Sequence, residues 1–183
     1  MSKKKILQRN SKFWEMYGSS KLKLSLCFNK GLILDTKLLI LYLVGIYDIR
    51  NKTHYLDRFS LCNKDYVFLT RFFEQMRVID KLIITPQILS EFCSLINTRL
   101  KTNSSNFMFN ILSLLKDINE EYITKNEILE EDEFCKYGST DIGIYIMSNN
   151  KDYPVITCDS DLTGLIEKNN NLVINFEEIK CLI

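Results

Sequence analysis

Four short runs in this chain are apolar on consecutive residues, and stretches of helical pattern separate them. They are Gly31-Leu-Ile-Leu-Asp35, Leu82-Ile83-Ile84, Val155-Ile156-Thr157 and Leu172 to Asn175. Each is too short for a helix, and none shows the inside–outside alternation of a half-exposed strand. A strand with no polar face must be covered on both sides. Helices provide that cover when the strands run parallel and the chain crosses back between them. The expectation is an α/β domain, a three-layer α/β/α sandwich around a central, mainly parallel sheet.

The intervening segments read as helices. Leu38 to Val44 is apolar all round and is predicted as a buried helix closing near Gly45. From about Lys64 to Arg77, Val67, Phe68, Phe72, Phe73 and Met76 recur at helical spacing, with Asn63 as N-cap. Thr85-Pro86 is a cap followed by a proline suited to the first helical position, predicting a helix through about Thr98. Asn106 to Ile118 is amphipathic, and Tyr122-Ile123 reads as a short extended segment. Ser139 or Thr140 can cap a helix over Asp141 to Met147, and a last short helix is expected from about Asp161 to Lys168.

Composition narrows the class. A chain of 183 residues with 46% hydrophobic and 26% charged residues supports one sizeable core and excludes wholesale disorder. With no linker-like stretch, residues 31–183 read as one domain behind a basic N-terminal extension, residues 1–30. Six cysteines without CxxC or CxH spacing argue against a zinc site or a disulfide framework. The most apolar stretch, Gly31 to Tyr47, contains Asp35 and Lys37 and is too short to span a bilayer. A soluble, cytoplasmic protein without membrane contact is expected.

The formal charge of +1 hides a split. The first 30 residues carry eight basic side chains and one acid, Glu15, whereas residues 117–133 carry eight acids and one lysine. Each run alone is more often a solvated tail or loop, but the basic end is suited to a polyanion. Trp14 and Tyr17 lie beside Lys12 and suit either base stacking or helix packing.

Functional groups in parallel sheets collect beyond the carboxyl ends of the strands. Asp35 and Asp159 each follow an apolar strand, Glu91 lies on the helix launched from Leu82–Ile84, and Asp141 opens its own helix. Taken singly, each acid is more often structural. Four acids at one sheet edge would repel one another unless a divalent cation bound among them. Oxygen-only ligation points to Mg²⁺ or Mn²⁺. The only histidine, His54, lies in a polar segment and is expected to be exposed with no catalytic role.

The ordered set Leu32-Ile-Leu-Asp35-Thr36, Ile84-Thr-Pro-Gln-Ile-Leu-Ser-Glu91, Gly138-Ser-Thr-Asp141 and Val155-Ile-Thr-Cys-Asp159-Ser-Asp161-Leu162 resembles the PIN domain, a family of metal-dependent ribonucleases. The resemblance implies an RNA-cleaving enzyme whose metal-binding acids are Asp35, Glu91, Asp141 and Asp159. Asp161 is either an accessory ligand or a helix-start residue, and Thr36 and Thr157 match hydroxyls that orient the acids. Lys37 stands where the family commonly has Asn; it either contacts a scissile phosphate or points outward. Many small PIN proteins are toxins of bacterial toxin–antitoxin pairs. The resemblance therefore also implies an RNA substrate, an antitoxin partner and a homodimer. A PIN-like scaffold that binds RNA or protein without cutting is the alternative.

Overall fold

A computed structural model describes residues 27–100 and 105–180. Its strands are β1 (Leu32–Leu34), β2 (Leu82–Ile84), β3 (Asn119–Glu120), β4 (Val155–Thr157) and β5 (Val173–Asn175). They form one all-parallel sheet in the order β3-β2-β1-β4-β5. Leu32 pairs with Leu82, Ile33 with both Ile83 and Val155, and Ile156 with Ile174. Every residue of β1, β2, β4 and β5 is buried, as unbroken apolar runs require, and only the edge strand β3 is exposed. Each fully buried Leu or Ile contributes on the order of 1.5–3 kcal/mol, so these short strands anchor the core out of proportion to their length.

The helices flank this sheet: α1 (Thr36–Asn51), α2 (Asn63–Met76), α3 (Pro86–Leu100), α4 (Ser105–Leu115), α5 (Lys125–Leu129), α6 (Phe134–Lys151), α7 (Ser160–Glu167) and α8 (Phe176–Lys180). Strands β1, β2 and β3 advance toward one edge of the sheet, and β4 and β5 toward the other. Right-handed crossovers send the connections of the two halves to opposite faces. Helix α1 packs against α2, α3 and α4, α6 packs against α5 and α7, and α3 meets both α1 and α6. The direction of winding reverses between β1 and β4. A crevice opens beyond the strand ends at such a switch point.

Several elements differ from the sequence-based expectation. Helix α1 passes through Gly45 and ends at Asn51, where Lys52 takes a left-handed conformation (φ 54°, ψ 43°). Gly45 is a notch for the neighbouring helix: a Cβ there would come 2.1 Å from Cδ2 of Tyr66 in α2. Asn63 is the first residue of α2 rather than its cap; Cys62 occupies the cap position without a side-chain hydrogen bond. The extended segment lies at Asn119–Glu120 instead of Tyr122-Ile123, drawn there by pairing with β2. Helix α6 begins at Phe134 and is broken at Gly138, whose φ of 79° and ψ of 178° suit glycine alone. Helix α8 had no counterpart in the sequence pattern.

Asp48 shows how the chain turns after α1. Buried to 2% exposure, it accepts hydrogen bonds from Thr53 Oγ1 (2.6 Å) and from the N–H groups of Tyr55 and Leu56 (both 2.9 Å). These bonds fix the 3₁₀ turn Tyr55–Phe59 to the end of the helix. Of the basic extension, residues 1–26 lie outside the described residues. Phe28–Lys30 forms a 3₁₀ turn, and Phe28 is buried edge-on to Phe72, ring centroids 6.2 Å apart. Cys62, Cys93, Cys135 and Cys158 are free thiols, and Cys181 lies outside the described residues. Among the described residues no helix is long and apolar enough to cross a membrane.

Candidate active site

Asp35 is the residue at which β1 becomes α1. Its extended backbone (φ −62°, ψ 161°) makes it the N-cap of α1, and Oδ1 accepts from the N–H of Leu38 at 2.7 Å. A carboxylate suits that position because the first turn of a helix has unsatisfied N–H groups and a positive dipole end. Its other oxygen, Oδ2, accepts from Thr157 Oγ1 at 2.5 Å and from the N–H of Cys158 at 2.7 Å. Asp35 thus bridges the ends of two adjacent strands, β1 and β4. Burial pushes its carboxyl above the ordinary range, although these hydrogen bonds and the charge of Lys37 pull the other way.

The remaining acids are placed by the next elements along the chain. Thr157 Oγ1 accepts from the N–H of Asp159 at 2.8 Å while donating to Asp35, so one buried hydroxyl positions both strand-end acids. Asp159 caps α7: Oδ1 accepts from the N–H groups of Asp161 (2.6 Å) and Leu162 (3.1 Å), and no hydrogen bond among the described residues falls on Oδ2. Glu91 lies on α3 and is exposed, yet Thr36 Oγ1 donates to its Oε2 at 2.6 Å. That bond joins α3 to the first residue of α1, directly beside Asp35.

Asp141 follows the break at Gly138 by three residues and is half-buried. Its carboxyl is pushed up to about 6, first by burial and then by the charges of Asp159, Glu91 and Asp35. All four acids line one open cleft of about 260 Å³, together with Thr36, Lys37, Thr157 and Cys158. The cleft lies at the carboxyl ends of β1 and β4. Among the described residues, no three acidic, histidine or cysteine side chains stand close enough to form a ready-made metal cage. By chemistry alone, a donor set of carboxylates is that of a hard cation.

The cleft brings together Asp35, Thr36, Lys37, Glu91, Asp141, Thr157 and Asp159, and leaves Asp161 outside it. Asp161 is exposed in the first turn of α7, where its N–H serves the cap. Lys37 is exposed at the rim, and His54 is exposed and absent from the cleft lining. Cys158 is a cleft residue that no sequence motif singled out. Its N–H holds Asp35, and burial raises its thiol far above the ordinary range, leaving it protonated and unreactive at neutral pH. Its place between Thr157 and Asp159 was the available signal.

Fold and site together define an α/β protein with a five-stranded parallel sheet and an acidic cleft at its switch point. No family model matches the chain, and no match was found among curated proteins or solved structures.

Proposed function

We propose that the protein is a divalent-metal-dependent endoribonuclease of PIN type, hydrolysing RNA phosphodiester bonds in the acidic cleft. The observation that carries this reading is the meeting of Asp35, Glu91, Asp141 and Asp159, drawn from four different elements, in one cleft. The upward push on Asp141 from the other three acids supports their mutual proximity. A fold needs no such cluster, which costs stability while the acids are ionised together.

Asp35, Glu91, Asp141 and Asp159 are the residues that would hold Mg²⁺ or Mn²⁺ between them. Such an ion, when bound, neutralises charge on the phosphate and lowers the pKa of water. The chain's own contribution is positional. Thr157 and the N–H groups of Leu38 and Cys158 immobilise Asp35, and Thr36 orients Glu91. Without a cation the Asp141 carboxyl is pushed up to about 6 by burial and the neighbouring acids, and a bound cation would draw it back down. Lys37 at the rim offers a cation to a backbone phosphate. The toxin role, an antitoxin partner and a homodimer follow from the same resemblance, and a cytoplasmic location is proposed from the composition.

Purified full-length protein incubated with single-stranded RNA, with Mn²⁺ or with EDTA, tests the reading. Cleavage that needs the metal and falls about 100-fold or more in Asp159→Asn is expected. Asparagine retains the cap that α7 requires, so folding is preserved. Cleavage that survives in Asp159→Asn would place the chemistry elsewhere. Lys37, standing where the resembled family commonly has Asn, favours a second reading, a scaffold that binds RNA without cutting it. RNA binding in EDTA with no cleavage under any metal would establish it.

A further inference from the structure

A second concavity, of about 570 Å³, runs along the surface of α2. Val67, Phe68, Phe72 and Met76 form its apolar wall, and Lys64 and Arg71 add positive charge to it. Val67 is 37% exposed, on a helix whose Phe72 and Met76 are buried. The chain enters the domain at this spot, because Phe28 packs edge-on to Phe72, one of the wall residues.

Upstream of that entry point lies Phe13-Trp14-Glu15-Met16-Tyr17, the aromatic cluster of the basic extension. It contains the only acid of the first 30 residues. Ten residues, Gly18 to Cys27, separate it from Phe28. Extended, they span at most about 33–36 Å, whereas a helix the length of α2 is about 21 Å long, so the cluster can reach any point along it. We infer that Phe13 to Tyr17 of the same chain cover the α2 groove and dock the basic extension on the domain. Four large apolar side chains meet an aromatic and methionine-lined wall, where ring–ring and sulfur–ring interactions add to area burial. Glu15 meets Lys64 and Arg71, which would repel the lysine-bearing segments of the extension.

Trp14 is the only tryptophan, so its fluorescence reads this docking directly in the full-length chain. The native emission should be blue-shifted from that of the urea-unfolded protein, with a several-fold smaller acrylamide quenching constant. Both features should be independent of protein concentration. Val67→Glu on the wall and Arg71→Glu beside it should each return the signal toward the unfolded value while far-UV circular dichroism stays unchanged. Both positions are exposed, so the core is left intact. A solvated emission in the native protein, or one that neither variant moves, overturns the inference. Shielding that grows with concentration also overturns it, by assigning the groove to a second copy. Neither RNA nor metal enters the measurement, so its outcome is separate from the nuclease reading.

Discussion

Asp35 commits both oxygens to three hydrogen bonds, so neutralising it is not a silent change. In Asp35→Asn the amide group must turn N–H donors toward donors already there. The expected loss is about 1–3 kcal/mol of stability in addition to any loss of activity, measurable by urea unfolding. A stable but inactive Asp35→Asn would show that the hydrogen bonds rearrange at little cost. Asp141 behaves in the opposite way. Its folded pKa of about 6 lies above the ordinary value of 3.8, so the native state holds this proton more tightly than the unfolded chain. Its contribution to stability is therefore lost as pH rises from about 4 through 6, and the penalty persists above that window. Buried Asp35 has the same sign. In metal-free buffer at pH 7.5, Asp141→Asn should stabilise by about 1 kcal/mol after allowance for solvent screening, or about 2–4 °C in Tm. The gain should vanish near pH 4. A difference between variant and parent that is the same at both pH values would mean that ionised Asp141 carries no penalty from burial or from the neighbouring acids.

At the scale of elements, the close approach of α1 and α2 depends on a missing methyl group. Gly45 to Ala would improve helix propensity by about 1 kcal/mol, but its Cβ would overlap the Tyr66 ring. Overpacking of this kind costs about 1–3 kcal/mol, so Gly45→Ala should be net destabilising in a Tyr66 background. With Tyr66→Ala in place the same substitution should become neutral or stabilising. A double-mutant cycle by chemical denaturation measures the coupling, and additive effects would place the ring elsewhere. Glycine at this site also explains why a sequence-based stop near residue 45 was reasonable. The helical pattern and the glycine are both local signals, and only the packed partner shows that the residue is a notch.

At the scale of the whole molecule, charge is unevenly placed. For the proposed RNA substrate to approach an acidic cleft, the basic extension would be the source of attraction at long range. Deleting Met1 to Lys5 should weaken RNA binding and flatten its salt dependence, by roughly 0.7 in the log–log slope for each single-strand phosphate that is no longer neutralised. Fluorescence anisotropy over a range of salt concentrations measures it, and an unaltered slope would reduce the lysine run to a solubilising tail. The deletion spares Phe13 to Tyr17, so docking on α2 should persist and the two roles of the extension can be separated.

Local patterns in the sequence determined which segments are strands buried on both faces, and so the parallel α/β class. They also marked Asp35 and Asp159, because a strand-end acid that caps the next helix is defined within a few residues. Tertiary structure alone decided the contacts of the acids that cross the fold. Thr36 reaches Glu91 across 55 positions and Thr157 reaches Asp35 across 122, separations at which no periodicity carries information. It likewise decided that Asn119–Glu120, exposed and polar, is a strand: its extended form comes from hydrogen bonds to the open edge of β2 rather than from its own side chains. Propensity and patterning act over one or two turns of chain, whereas hydrogen-bond pairing across the sheet and the fit of one helix into another exist only once the core has closed.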